Sequence, residues 1–383
     1  MSPGPDTHGK SNGLVSDVAI ALSYYSPYVS GLTNVVRDVA GRLAARGRRV
    51  TVITSQHDPR LPREEVLNGV RVLRAPVALR LGKGVICPGF LGLIRRESAQ
   101  ARVLNIHAPM LEAGPAARLS RAPVVLTYHC DVNLGAGPAA WLQERVIDRS
   151  TLAAARAARC VTVSSDDYAE HCRLAAAFAG KRVTIPPPCH ERPGGVPRFR
   201  KGAGLHIGFL GRFVAEKGIG TLVEGFRAFA QPDARLLLAG DFTAVAGGSV
   251  IGQLRGKIAG DPRIDLLGFL PEHQLADFYA SIDAFALPSI NSLEAFGIVQ
   301  VEAMLRGIRV LASGLPGVRQ PSLETGLGLI IEPGSPRSIT DALERLAHWH
   351  PDAIAGAAKA RDLYGVDAVA DKYDALFQSI AAA

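Results

Sequence analysis

The sequence predicts an α/β protein of two domains, each built round a parallel sheet. Three observations carry that expectation. The chain has 383 residues, more than one ordinary core accommodates, so two domains of roughly 150–200 residues are expected. Short apolar runs alternate with amphipathic stretches in the order β–loop–α–β, in two successive series. Between the series lies IPPPCHERPGGVPRFRKGAG (185–204), dense in proline, glycine and charge.

Taken in order, residues 1–14 are polar and turn-rich and read as a flexible tail, since they lack the apolar stretch of a signal peptide. VSDVAIALS (15–23) is the first strand, followed by a glycine-containing loop, the helix NVVRDVAGRLAARGR and the strand RRVTVITS. VRVLRA, ARVLNIHA, PVVLTYH and RCVTVSS continue the strands, with a helix over 138–158. The second series runs LHIGFLGR, a helix at 218–230, ARLLLAGD, a segment at 249–260, IDLLGFL and a helix at 272–281. AFALPS, a helix near 298–306, RVLAS, GLIIEP and a helical C-terminal stretch complete it. The expected division is a first domain over 15–190, a linker over 191–204, a second domain over 205–365, and a final helix, 366–383.

Composition narrows the function. Hydrophobic residues are 48% and charged residues 20%, an ordinary globular balance. The net charge of +8 suits an anionic partner, but aromatics are only 6% and the basic residues are scattered, which argues against nucleic acid. Five cysteines without metal-like spacing point to reduced thiols and a cytoplasmic setting. No apolar run reaches the roughly 18 residues that span a bilayer.

In open parallel sheets, ligands sit beyond the carboxyl ends of strands, so the chemistry is sought there. Gly211-Arg-Phe-Val-Ala-Glu-Lys-Gly218 follows the first strand of the second series and precedes a helix. Arg212 and Lys217 beside a helix N-terminus suit a diphosphate; the alternative is a solvated basic turn. Ser30-Gly-Leu-Thr33 after the first strand lets a ligand approach the backbone at Gly31, or is an ordinary tight turn. His129 and Asp131 end the strand PVVLTYH; a histidine so placed is either functional or structural. SLEAFGIVQVEAM (292–304) places Glu294 and Glu302 among apolar residues, with Phe296 and Gly297 between. If helical throughout, eight residues span about 12 Å, close to the reach from a ribose to a diphosphate-linked sugar. Ionised carboxylates accept strongly from hydroxyls.

These residues together resemble a retaining GT-B glycosyltransferase of family 4, the glycosyltransferase group 1 type, from about residue 17 to 378. The most specific part is Pro288-Ser-x-x-Ser-x-Glu294-x-Phe-Gly-x-x-x-x-Glu302-Ala-Met, with Gly211-Arg212 and Glu216-Lys217-Gly218 beside it. The resemblance implies two Rossmann-like domains whose sheets face a central cleft, with the C-terminal helix crossing back to the first domain. It implies that Arg212 and Lys217 hold the donor diphosphate and that Glu302 binds the ribose. Glu294, with the backbone of Phe296 and Gly297, would hold the transferred sugar. His129 would sit near that sugar, Gly31 against the diphosphate, and Gly268, Phe269 and Leu270 along the base. The first loop departs from the family's paired glycines by reading Ser30-Gly31.

The resulting expectation is a metal-independent transferase without cofactor. It would move a hexose or N-acetylhexosamine from a nucleoside-diphosphate sugar, a UDP-sugar by family frequency, to a hydroxyl acceptor. That acceptor would be a lipid-linked glycan or a secondary-metabolite precursor. No Asp-x-Asp triplet occurs, and two cations can stand in for a divalent ion. A nucleotide-sugar epimerase, a sugar phosphorylase and a non-catalytic nucleotide-sugar binder remain as alternatives. A dinucleotide oxidoreductase lacks its Gly-x-Gly-x-x-Gly. Segment 80–96 (RLGKGVICPGFLGLIRR) either makes a peripheral contact at the inner membrane face or lines the core or acceptor cleft.

Overall fold

A computed structural model describes residues 16–81, 84–135, 137–242 and 249–383. The expected tail, 1–14, lies outside the described residues.

The first sheet has eight strands. In chain order they are β1 (Ser16–Ala21), β2 (Val50–Gln56), β3 (Glu64–Leu67), β4 (Val70–Pro76), β7 (Ala101–Ala108), β8 (Val124–Tyr128), β9 (Cys160–Val163) and β10 (Arg182–Thr184); β5 (Leu79–Leu81) and β6 (Gly84–Ile86) form a separate hairpin. The sheet order is β10-β9-β8-β7-β1-β2-β4-β3. β1 pairs in parallel with both β2 and β7, so the winding direction reverses between β1 and β7. The helix Gly31–Ala45 follows β1, capped by the Ser30 hydroxyl, which accepts from the Thr33 N–H.

One strand breaks the expected parallel pattern. β3 runs antiparallel to β4 through a tight turn at Asn68 (φ 50°) and Gly69 (φ 80°). Asn-Gly between two β-rich runs is the strongest short-range hairpin signal, because both residues tolerate positive φ. LNGV carries that signal in the sequence. Segment 80–96 is also clarified. Val85, Cys87, Phe90 and Ile94 are buried in the first unit, so these four side chains serve its core.

The second sheet has six strands: β11 (His206–Leu210), β12 (Arg235–Ala239), β13 (Ile264–Gly268), β14 (Ala284–Leu287), β15 (Arg309–Ser313) and β16 (Gly328–Ile331). Their order is β13-β12-β11-β14-β15-β16, and neighbours are parallel throughout. Alternation along the strands feeds two cores. Ile207, Phe209, Leu236, Leu238, Ala286 and Leu311 pack on one side with helices Ile219–Ala228 and Pro336–Leu346. Leu237, Phe285, Leu287, Val310 and Ala312 pack on the other with Leu275–Ala280 and Ile298–Met304. Covering both faces is what a parallel sheet requires. The winding direction reverses between β11 and β14, which marks their carboxyl ends as the place for a ligand.

Contacts divide the chain into Met1–Thr127 with Arg145–Val161 and Tyr373–Ala383, and a second unit of Tyr128–Glu144 with Thr162–Lys372. These units interleave along the chain, and residues 191–204 belong to the second of them. The reason is visible within the second unit. Asp167 takes a bidentate bond from Arg319 (2.7 and 3.0 Å) and a third from the Gly317 N–H, tying residues 162–190 to those after β15. The supposed linker is itself a bound strap. The Val196 and Phe199 N–H groups donate to Asp277 and Ser281, while Arg200 pairs with Asp283 and Lys201 with Asp265. Its charge signals attachment here, not solvation. The last helix, Val366–Ala382, ends in the first unit, where Asp374 takes a bidentate bond from Arg48 (2.9 Å each).

Candidate active site

Beyond β11 the chain enters the loop Gly211–Gly218. Phe213 and Val214 are buried, and Phe213 meets Phe209 edge to face at 6.0 Å. The Phe213 N–H donates to the Asp241 carbonyl oxygen (3.2 Å). With these residues pinned inside, Arg212 is left outward and half-exposed, 3.6 Å from Glu216. A 3₁₀ turn over Ala215–Lys217 closes on Gly218, in the left-handed region at φ 65°. A Cβ on Gly218 would stand 2.0 Å from the Pro288 carbonyl oxygen, so only glycine allows this loop to lie on the segment after β14. The Ile290 N–H completes the seam by donating to the Glu216 carbonyl oxygen (2.9 Å).

The seam brings Lys217 onto Glu294 as an ion pair across 77 positions of sequence, with both side chains mostly buried. Ser289 Oγ also faces the Glu294 carboxylate, at 3.4 Å. Glu294 lies in irregular backbone, and the helix begins only at Ile298. The 12 Å spacing expected for an unbroken helix therefore does not apply. Gly297 (φ 84°) caps that helix, and a Cβ there would strike the Leu287 side chain at 2.3 Å. Its glycine is thus demanded by packing on β14. Phe296 is buried against Tyr364, which leaves only its backbone available to a ligand.

Glu302 is 5% exposed and heavily engaged. Arg192 donates to it twice, at 2.9 and 3.0 Å, and the Tyr279 hydroxyl donates at 2.9 Å. A carboxylate offers about four acceptor positions, so one remains. Arg192 also pairs with Glu272. Burial opposes the Arg192 charge, but the two carboxylates outweigh it and hold its pKa above the ordinary value. Burial, and then Glu302, raises the Tyr279 phenol well above its usual range. Arg192, Tyr279 and Glu272 had no local sequence signal. Arg192 is 110 positions from Glu302, inside the stretch read as a linker.

His129 belongs to the second unit and is half-buried. Desolvation lowers its imidazole to about 4, so it is neutral at physiological pH. Its neighbour Cys130 has a thiol pushed up to about 12 by burial, with the Asp131 and Glu294 carboxylates adding to the effect. The Glu294 charge thus reaches this strand end. Asp131, by contrast, is structural. It accepts from the Tyr128 hydroxyl and the Arg173 N–H, and its own N–H donates to the Tyr168 hydroxyl. Gly268 (φ 75°) ends β13 and turns out Phe269, which is 71% exposed, while Leu270 is buried. Gly31 stands in the first unit at the start of its helix, and a Cβ there would meet nothing within 4 Å. Among the described residues, no three His, Cys, Asp or Glu side chains gather as a metal site would require.

The second unit thus pairs a cation with a carboxylate beyond the carboxyl ends of β11 and β14, holds a second carboxylate rigidly by Arg192, and carries the neutral imidazole of His129 after β8. Residues 204–348 match the family model for group 1 glycosyl transferases, and residues 30–188 match the glycosyl transferase 4-like domain. A phosphatidyl-myo-inositol mannosyltransferase of Mycobacterium leprae is 25% identical, covering 95% of this chain and 97% of its own. A GDP-mannose-dependent alpha-(1-6)-phosphatidylinositol monomannoside mannosyltransferase of Mycobacterium tuberculosis is also 25% identical, covering 91% and 93%. A sucrose-phosphate synthase from Thermosynechococcus elongatus superposes with a TM-score of 0.75 at 21% identity, covering 95% of this chain and 99% of its own. The chain is a GT-B glycosyltransferase of family 4.

The buried pair makes its own prediction. Arg192→Ala strands the Glu302 carboxylate and is expected to cost about 3–5 kcal/mol of unfolding free energy. A urea titration measures it, and Arg192→Lys should recover part of the loss.

Proposed function

We propose that this glycosyltransferase moves a hexosyl or N-acetylhexosaminyl group from a nucleoside-diphosphate sugar to an acceptor hydroxyl, with retention and without a metal. The observation that carries the reading is the Lys217–Glu294 pair at the seam between the β11 and β14 loops. It joins the cation expected at the diphosphate to the carboxylate expected at the sugar. Both loops lie where the sheet reverses its winding.

In this reading the donor diphosphate meets Arg212 and Lys217 as it departs with the glycosidic electron pair. Negative charge grows on its oxygens while the sugar becomes oxocarbenium-like. Cations fixed in advance lower that barrier without reorganising. Glu294, with the Phe296 and Gly297 backbone, orients the sugar hydroxyls. The acceptor attacks from the face the diphosphate leaves, and a phosphate oxygen takes its proton. Neutral His129 supplies a hydrogen bond at the sugar instead of a charge. Glu302 accepts from the ribose with the acceptor position that Arg192 and Tyr279 leave open. Gly268, Phe269 and Leu270 edge the base, where the exposed Phe269 ring offers a stacking face. Gly31 lies against the diphosphate.

The donor base and the acceptor are the finer part of the proposal. UDP was the expectation, and a relative is named for GDP-mannose; both belong in the first screen. Two relatives are named for inositol lipids, which supports a lipid-linked or cyclitol acceptor. Among the described residues the five cysteines form no disulfide with one another, which supports a cytoplasmic site of action. Among the described residues no helix is long and apolar enough to cross a membrane, and a peripheral membrane contact stays part of the proposal.

The test begins with UDP-, GDP- and ADP-sugars in a thermal shift assay, since a true donor raises the melting temperature. With that donor, Lys217→Met should lose about 100- to 1,000-fold in kcat while still unfolding in one cooperative transition well above the assay temperature. Near-normal turnover would refute the diphosphate role. EDTA should leave the rate unchanged, and a tenfold loss restored by Mn²⁺ would overturn metal independence.

A further inference from the structure

The second unit holds a cavity of about 110 Å³ behind the segment that carries Glu294. Its walls come from distant parts of the chain. Ser164 follows β9 and Thr184 ends β10. Phe296 stands between β14 and the helix Ile298–Met304, and Glu324 is in the helix Gln320–Thr325. Tyr364 ends the helix Ala353–Tyr364, and Lys372 lies in the helix Val366–Ala382. The volume has room for several water molecules, and so for a small solute.

Two opposite charges line this space without forming an ion pair. Lys372 Nζ donates to the Leu363 carbonyl oxygen (3.0 Å), and among the described residues no carboxylate comes within ion-pair distance of it. An ammonium has three donors, so two remain. Burial pushes the Lys372 pKa down, with Glu324 opposing; an ammonium so placed is stabilised by an anion that comes to it. Glu324 is held from two sides. Gln320 Nε2 donates to its Oε1 (2.8 Å), and the Tyr364 hydroxyl donates to its Oε2. A carboxylate has about four acceptor positions, which leaves roughly two. Asp166, also on the rim, is already engaged by Arg182 (2.8 Å) and the Thr184 hydroxyl (2.8 Å). The rest of the wall is mainly apolar. Phe296 meets Tyr364 edge to face at 5.4 Å, beside Pro186 and Leu363.

A solute with only a negative charge would meet the Glu324 carboxylate, and one with only a positive charge would meet the Lys372 ammonium. A small molecule that carries both charges satisfies both groups and can lay an apolar part on Phe296. We propose that this cavity binds a small amino acid, its carboxylate on Lys372 and its ammonium on Glu324, with a short side chain against Phe296 and Leu363. The bound side chain presses on the Phe296 ring, whose backbone is assigned above to the transferred sugar, so the cavity is placed to regulate transfer. That regulatory role rests on the transferase reading; the binding stands on the cavity alone.

Saturation-transfer NMR titrations of the full chain test it with L-alanine, and with propionate and ethylamine as counterparts that each keep one charge. L-Alanine should receive saturation at millimolar concentration. Loss of one charge-assisted hydrogen bond should weaken binding about tenfold, whether in propionate, in ethylamine, or in the Lys372→Met and Glu324→Gln variants. Glu324→Gln keeps an acceptor for Tyr364, and Lys372→Arg, which keeps the charge, should retain part of the binding; both should unfold cooperatively like the parent. No saturation of L-alanine, equal affinity in parent and Glu324→Gln, or propionate binding as well as L-alanine would overturn the proposal. With the donor identified, L-alanine should shift its KM about fivefold in the parent and not in Lys372→Met; an unchanged KM would overturn the regulatory role. If L-alanine binds while no nucleoside diphosphate shifts the melting temperature, the transferase reading fails and the amino-acid site stands.

Discussion

The seam between the β11 and β14 loops is the constraint on which the site depends. Gly218 lies so close to the Pro288 carbonyl oxygen that no side chain fits, and this contact sets Lys217 against Glu294. Neither group would hold its place alone. A lysine on a surface turn spreads over many rotamers, and a carboxylate in irregular backbone is equally free. Paired and mostly buried, each limits the other. Phe213 anchors the same loop from within, so the charge rests on hydrophobic packing one residue away. Preorganisation of this kind is what electrostatic catalysis requires, because solvent-like groups would have to reorient during the reaction.

Glu302 shows the same economy with higher stakes. An ionised carboxylate so deeply buried is unfavourable unless it is paired and hydrogen-bonded. Arg192 and Tyr279 satisfy it from the strap and from a neighbouring helix. Arg192 also reaches Glu272, close behind the Gly268–Leu270 turn. One guanidinium therefore links the strap, the helix of Glu302 and the segment expected to edge the base. Attachment of the strap is part of the site's architecture, although its composition suggests a spacer.

Much of this was legible in the sequence, and the reasons are local. Strand residues such as those of LHIGFLGR and ARLLLAGD read as buried because a parallel sheet covered on both faces needs nearly continuous apolar runs. Arg212, Lys217, Glu294 and Glu302 stood out because charged residues at strand ends or in apolar company demand an explanation. Asn68-Gly69 announces the β3–β4 hairpin through its backbone freedom. Asp131 looked functional by position. Tyr128 is only three residues away, but the Tyr168 hydroxyl and the Arg173 N–H that also engage it come from about forty positions along the chain.

The sequence by itself determined most of the strands and helices of the two series and which charged residues lie at strand ends. Those properties depend on side-chain periodicity and on glycine and proline, which act over a few residues. Only the tertiary structure decided what each charge faces. It gave Glu302 to Arg192, Glu294 to Lys217 and the strap's charges to the second unit. These partners lie tens of positions apart or more. Their pairing is chosen by burial, where an unmet charge is costly, and burial exists only once the sheets have assembled.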